Sequence, residues 1–145
     1  MSTSALLPVS SYIDAQNFHK EKQSIFRKNW LLAAHLSQLP LHKQLAQTIA
    51  GVPILLWHTE SGIKAFANIS RHRVGALAWE DAPQKGKLLR CRYHGWIYND
   101  DGLLVNNTDF GDPCAKLHLH TLCITILKDW IFVAWELPEE SPLEL

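Results

Sequence analysis

The hydrophobic positions of this chain change their period once, early. Between residues 14 and 28, Phe18, Ile25 and Phe26 fall near one helical face, and Asp14 stands where a side-chain cap belongs. This predicts a helix over 14–28, preceded by a loosely ordered lead over 1–12. Beyond it the period shortens. Residues 30–34 form a short apolar run, a strand or its approach, and Leu39-Pro40 breaks the chain. Strands are predicted over 44–50, 54–58 and 63–68, separated by a turn at Gly51-Val52-Pro53 and a hairpin loop at Thr59-Glu60-Ser61-Gly62. Short strands follow at 87–90, 96–98 and 103–105, the last after the turn signal Asn99-Asp100-Asp101-Gly102. Residues 106–118 read as polar and irregular. The runs 122–127 and 130–135 flank Lys128-Asp129, which reads as a two-residue hairpin. An acidic, proline-containing tail closes the sequence over 138–145. Short strands at close spacing imply an all-β antiparallel sandwich or barrel with a short N-terminal helix.

Composition narrows the function classes. The chain has 145 residues, which suits one domain, and 14 basic residues balance 14 acidic ones. Zero formal charge gives no argument for a nucleic-acid partner or an anionic membrane surface. No apolar run approaches the roughly eighteen residues of a membrane span. The start Met1-Ser2-Thr3-Ser4 lacks the basic and apolar regions of a signal peptide, so a cytoplasmic protein is expected. Three cysteines, Cys91, Cys114 and Cys123, are too few and too odd for a disulfide framework. Cys114 and Cys123 read as buried free thiols. Trp30, Trp57, Trp79, Trp130 and Trp135 all fall where core or strand residues are expected.

The chemistry concentrates in two short motifs. Ser70-Arg71-His72-Arg73 is followed, with eighteen residues intervening after His72, by Cys91-Arg92-Tyr93-His94-Gly95-Trp96. With a cysteine at 70 this is Cys-x-His then Cys-x-x-His, a donor set for a Rieske-type [2Fe–2S] cluster, in which two His replace two Cys on one iron. Each motif follows a predicted strand, so two loops at one end of a sheet can converge. Positions 70 and 72 alternate and can point the same way. Gly95 permits the backbone geometry of a loop wrapped around a cluster. Soft thiolate suits iron–sulfur chemistry, while neutral imidazole raises the potential to roughly −150 to +300 mV. Alone, either motif is weak; together, with strands on both sides, they are strong.

Plainer readings stand beside this one. His72, Cys91 and His94 can be retained for packing without metal. They also form, with water, an acceptable tetrahedral zinc set. Arg73 and Arg92 read as solvated loop charges, or as charges that offset a cluster or meet a partner. Tyr93 and Trp96 read as loop packing, with Tyr93 able to donate a hydrogen bond to a cluster sulfur. His118-Leu119-His120 reads as a loop or strand edge, and His19, His35, His42 and His58 as structural.

The stretch 25–136 resembles the N-terminal Rieske domain of the α subunit of Rieske non-haem iron oxygenases, the ring-hydroxylating and related monooxygenase family. The resemblance rests on Ile25-Phe26-Arg27-Lys28-Asn29-Trp30, Ile49-Ala50-Gly51-Val52-Pro53, Phe66-Ala67-Asn68, His72-Arg73, Cys91-Arg92-Tyr93-His94-Gly95-Trp96 and Asp101-Gly102. It implies an all-β, Rieske-type antiparallel β-sandwich or barrel with a two-loop cluster-binding subdomain. Residues 1–40 are then a lead and helix packing on the domain, and 41–145 the Rieske-like domain, with cluster-binding loops at about 68–75 and 90–98. His72 and His94 would bind the outer iron and Cys91 the inner iron. Ser70 stands where the family has its first cysteine. The implied function is electron transfer, from a ferredoxin or reductase to a mononuclear iron in an oxygenase catalytic domain or subunit that this chain lacks. Such a chain is an oxidoreductase component, of a dioxygenase or a monooxygenase, and is expected to hydroxylate nothing alone. The alternatives are a degenerate, cluster-free fold serving as a structural or interaction domain, and a zinc-bound variant.

Overall fold

Asp14 caps a helix, but a shorter one than the apolar spacing suggests. The computed structural model describes residues 7–79, 86–106 and 117–139. In it Asp14 is extended, and its Oδ1 accepts the Gln16 N–H at 2.8 Å to start α2 (Ala15–Glu21). A single turn, α1 (Ser10–Ile13), precedes it, so part of the expected loose lead is helical. After α2 the turn widens into a π-helix over Lys22–Phe26, closed by the Arg27 N–H on the Lys22 carbonyl at 3.2 Å. The Ser24 hydroxyl donates to the Lys20 carbonyl at 2.7 Å, a back-bond of the kind that bends helices. The helix therefore ends short of residue 28. No helix among the described residues is long and apolar enough to cross a membrane.

Among the described residues the strands form three small antiparallel sheets. β1 (Leu31–His35) pairs with β9 (Trp130–Ala134), which pairs with β8 (Cys123–Leu127). Lys128 and Asp129 adopt φ of 46° and 67°, the two-residue turn expected between β8 and β9. A second sheet holds β2 (Gln44–Ile49), β3 (Val52–Thr59) and β4 (Gly62–Ala67). Here the expected turn moves. Ala50 and Gly51, at φ 49° and 73°, make it, and Val52 and Pro53 already belong to β3, paired with Ile49 and Thr48. The third sheet joins β5 (Leu89–Arg90), β6 (Ile97–Tyr98) and β7 (Leu104–Asn106), each shorter or later than its apolar run suggests. β7 starts one residue late because Asn99 Oδ1 accepts the N–H groups of Asp101 and Leu103, at 3.1 and 2.9 Å.

The unbroken apolar run of β3 has a structural cause: both faces of the strand are buried. Ile54 and Leu56 enter one core with Leu39, Leu122, Ile131 and Val133. Leu55 and Trp57 enter the other with Phe66, Leu77, Leu89, Trp96 and Tyr98. The segment before β8 ties the sheets together, through the His120 carbonyl on the Ala67 N–H and the Leu122 N–H on the Ala65 carbonyl. His118-Leu119-His120 is thus the strand edge expected of it, and His120 stacks on Trp135. Two expectations fail. Trp79 is 53% exposed rather than in the core, and Cys123 is only half-buried because its strand lies at a sheet edge. Cys114 and most of the irregular segment 106–118 lie outside the described residues, as does 140–145.

Candidate metal centre

Both candidate loops close on themselves before they meet. The first leaves β4 at Asn68, which is buried. Asn68 Oδ1 accepts the N–H groups of Leu77 and Ala78, each at 3.0 Å, and its Nδ2 donates to the Ala78 carbonyl at 2.8 Å. One side chain thereby holds both ends of the excursion that carries Ser70 and His72. Within it the Ser70 N–H donates to the Gly75 carbonyl at 2.7 Å, and the Val74 N–H to the Ser70 carbonyl at 3.2 Å. The Ser70 hydroxyl oxygen accepts the His72 N–H at 3.3 Å. The second loop leaves β5. The Cys91 N–H donates to the Trp96 carbonyl at 2.7 Å and the Gly95 N–H to the Cys91 carbonyl at 2.9 Å. Gly95 takes φ 74°, where a side chain would be strained.

The loops then dock. The Arg92 N–H reaches the Leu77 carbonyl at 3.4 Å, and Cys91 Sγ faces the Ala76 carbonyl at 4.0 Å. The Tyr93 ring lies over Gly75, so closely that a Cβ there would sit 3.3 Å from Cδ1. At the meeting point the His72 and His94 rings stand edge to face, 4.4 Å between centroids. Trp96 stacks on His72 at 4.5 Å, and Tyr93 packs edge-on against His94 at 3.9 Å. In both histidines Nδ1 is a buried nitrogen. Ser70 and Cys91 are almost wholly buried, whereas His72 and His94 are only half so. The fold thus brings all four predicted residues onto one pair of loops, oxygen and sulfur inside, imidazoles toward the surface. Around them Arg71, Arg73 and Arg92 are exposed, and Arg92 lies over the Trp79 ring at 5.7 Å.

Tyr98 is the site residue that sequence reasoning missed. It is fully buried and lies beside Ser70, Arg71 and Cys91. Burial pushes its phenol above the usual tyrosine range, while the Ser70 side chain and the Arg71 backbone pull the other way without closing a hydrogen bond. Its signal was available: on β6 it falls two residues after Trp96 and so shares the inward face.

The donor set suits an iron–sulfur cluster, with one departure. A thiol and two imidazoles are the soft and borderline donors that such clusters take. Two buried donors nearby, Trp96 Nε1–H and the Tyr98 hydroxyl, lack an acceptor among the described residues, and sulfur would give them one. The hydroxyl of Ser70 is a harder and far less acidic donor than a thiol. The zinc alternative finds no support. No group of three His, Cys, Asp or Glu side chains is gathered for one ion among the described residues. A Rieske cluster asks for less at each metal, two protein donors per iron.

Comparison with known proteins agrees with this geometry. A family model, the Rieske [2Fe-2S] domain, matches residues 29–118. The glycine betaine monooxygenase oxygenase subunit of Pseudomonas aeruginosa is 35% identical over 108 residues, which cover 72% of this chain and 25% of that protein. The biphenyl dioxygenase subunit alpha of Paraburkholderia xenovorans is 33% identical over 103 residues, covering 70% of this chain and 22% of its own. Among solved structures, the apo form of the quaternary ammonium Rieske monooxygenase CntA superposes with a TM-score of 0.81 at 22% identity, over 94% of this chain and 41% of that one. Naphthalene 1,2-dioxygenase from Rhodococcus sp. gives 0.79 at 25% identity, over 95% of this chain and 33% of that one. The chain spans about a quarter of the length of the oxygenase subunits it matches.

Proposed function

The chain belongs to the Rieske [2Fe–2S] domain family, and on that footing we propose that it holds a two-iron cluster between its two loops and passes single electrons through it. His72 and His94 would hold the outer iron, Cys91 the inner iron, and Ser70 the fourth position. The observation that carries this reading is the convergence of the two imidazoles, 4.4 Å between centroids, from separate loops. Packing alone would fill such a junction with apolar side chains. When bound, the cluster supplies one-electron transfer in the Rieske range, roughly −150 to +300 mV.

The chain's own residues do the rest. Burial of Ser70 and Cys91 keeps water from the inner pair. The half-buried imidazoles reach the surface, where an electron enters or leaves over the shortest path. With Nδ1 buried, Nε2 is the atom that can carry a proton alongside it. Asn68 fixes the reach of the first loop, and Gly95 the path of the second. The partners we infer are a ferredoxin or reductase as donor and an oxygenase catalytic domain or subunit as acceptor, since the relatives are oxygenase subunits. The cytoplasm is the compartment in which free Cys91 and Cys123 stay thiols.

Iron and acid-labile sulfide per chain, measured after anaerobic purification, test the reading together with EPR of the reduced protein. About two of each per chain and a signal on reduction are expected. A colourless, folded protein with neither iron nor sulfide sinks it. That outcome selects the second reading, a cluster-free Rieske fold acting as an interaction domain. Ser70 favours that one, because its hydroxyl already serves the loop by accepting the His72 N–H.

A further inference from the structure

A groove between the N-terminal helical segment and the sheets shares no residue with the two loops. It encloses about 310 Å³, at the small end of the range of ligand pockets. One wall is cationic, from Lys22 and Arg27, with His19 beside them; the floor is apolar, from Phe26, Val52 and Trp135. No carboxylate among the described residues lines it. Among the described residues neither Lys22 nor Arg27 pairs with an acid. Arg27 spends one N–H on Gln23 Oε1 at 3.3 Å, and Lys22 Nζ lies 4.9 Å from the centre of the Phe18 ring. Both cations line one groove, and an anion placed in it is attracted to each.

Two backbone features place these groups. The π-turn brings Lys22 and Arg27, five residues apart, onto one face, which a regular helix of about 3.6 residues per turn would rotate apart. Gly51, at the tip of the β2–β3 hairpin, leaves room for the lysine: a Cβ there would lie 2.8 Å from Lys22 Nζ.

We propose that this groove binds a small organic anion with a flat apolar body, of which an aromatic carboxylate is the simplest. The carboxylate lies between Lys22 and Arg27, and the ring lies on Phe26, Val52 and Trp135. The site does not depend on the cluster reading and is present whether or not the loops hold metal.

Calorimetric titration of the full chain with 1-naphthoate, with the neutral 1-naphthalenemethanol and with inorganic phosphate tests this. Naphthoate is expected to saturate at one site, with the alcohol and the phosphate each at least about tenfold weaker, the loss expected for one charge-assisted hydrogen bond or one buried ring. Lys22→Met and Arg27→Met are each expected to weaken naphthoate about tenfold. Neither side chain is buried, and an unchanged melting temperature confirms that the fold is kept. Equal binding of acid and alcohol, phosphate binding as tight as naphthoate, wild-type affinity in both variants, or no saturable binding would each overturn the proposal.

Discussion

Asn68 sits where β4 ends, and its carboxamide closes three hydrogen bonds to residues nine and ten positions on. Asn68→Ala leaves those backbone groups buried and unpaired, a loss of about 3 kcal/mol or more, and thermal melting should show it as the costliest polar substitution near the site. Ser70 is the second residue of consequence. Ser70→Cys restores a soft donor and should raise iron and sulfide per chain on anaerobic reconstitution; no gain would show that the first loop does not ligate. Tyr98 adds a pH dependence. Its folded-state pKa lies above that of the unfolded chain, so its contribution to stability is complete below about pH 10 and falls as pH rises toward the folded value. Tyr98→Phe should flatten the alkaline side of the stability profile above about pH 10; a parallel fall in both proteins would refute it. The four proposed donors were legible because their spacing is written along the chain. Asn68 was not, because it is defined by what lies across a loop, Leu77 and Ala78; Tyr98 was legible as an inward-facing residue, but its place beside Ser70 was not.

At the scale of elements, the turns show how local signals succeed or mislead. Lys128-Asp129 was readable as a two-residue hairpin because apolar runs flank it closely on both sides. Both residues take left-handed backbone, which lysine resists and asparagine and glycine accept. Replacing the pair by Asn-Gly should raise stability by about 1 kcal/mol without altering the pairing of β8 with β9, and the melting temperature reads it. The β2–β3 turn was expected to run two residues too far, through Val52 and Pro53, for a physical reason. Proline looked like a turn former, yet here it lies within β3 opposite Thr48, with its carbonyl taken by the Asn68 N–H at 3.0 Å. The helix failed differently. Apolar spacing encodes a face, and it carries no mark of an i→i+5 bond such as the one from Arg27 to Lys22. Nor could the polar turn at Asn99 show that its side chain would take the Leu103 N–H and delay β7.

For the whole molecule the decisive feature is the strand that both cores share. Leu55 and Trp57 face the core beneath the loops, and Ile54 and Leu56 face the other. Neither core can dissolve while β3 stays in place, and β3 is paired along both edges. Native-state hydrogen exchange should therefore show Leu55, Leu56 and Trp57 amides opening together, at the free energy of global unfolding, while loop amides between 69 and 76 exchange at lower cost. A spread of opening energies along β3 would contradict this. Such a molecule has no internal seam along which to come apart in halves. Its folding unit is the whole set of sheets, and the loops share in it through Leu77, Cys91 and Trp96, which belong to the core beneath them. On the proposed reading, a chain stripped of metal keeps β3 and the two cores it joins, and so stays a competent template for reloading.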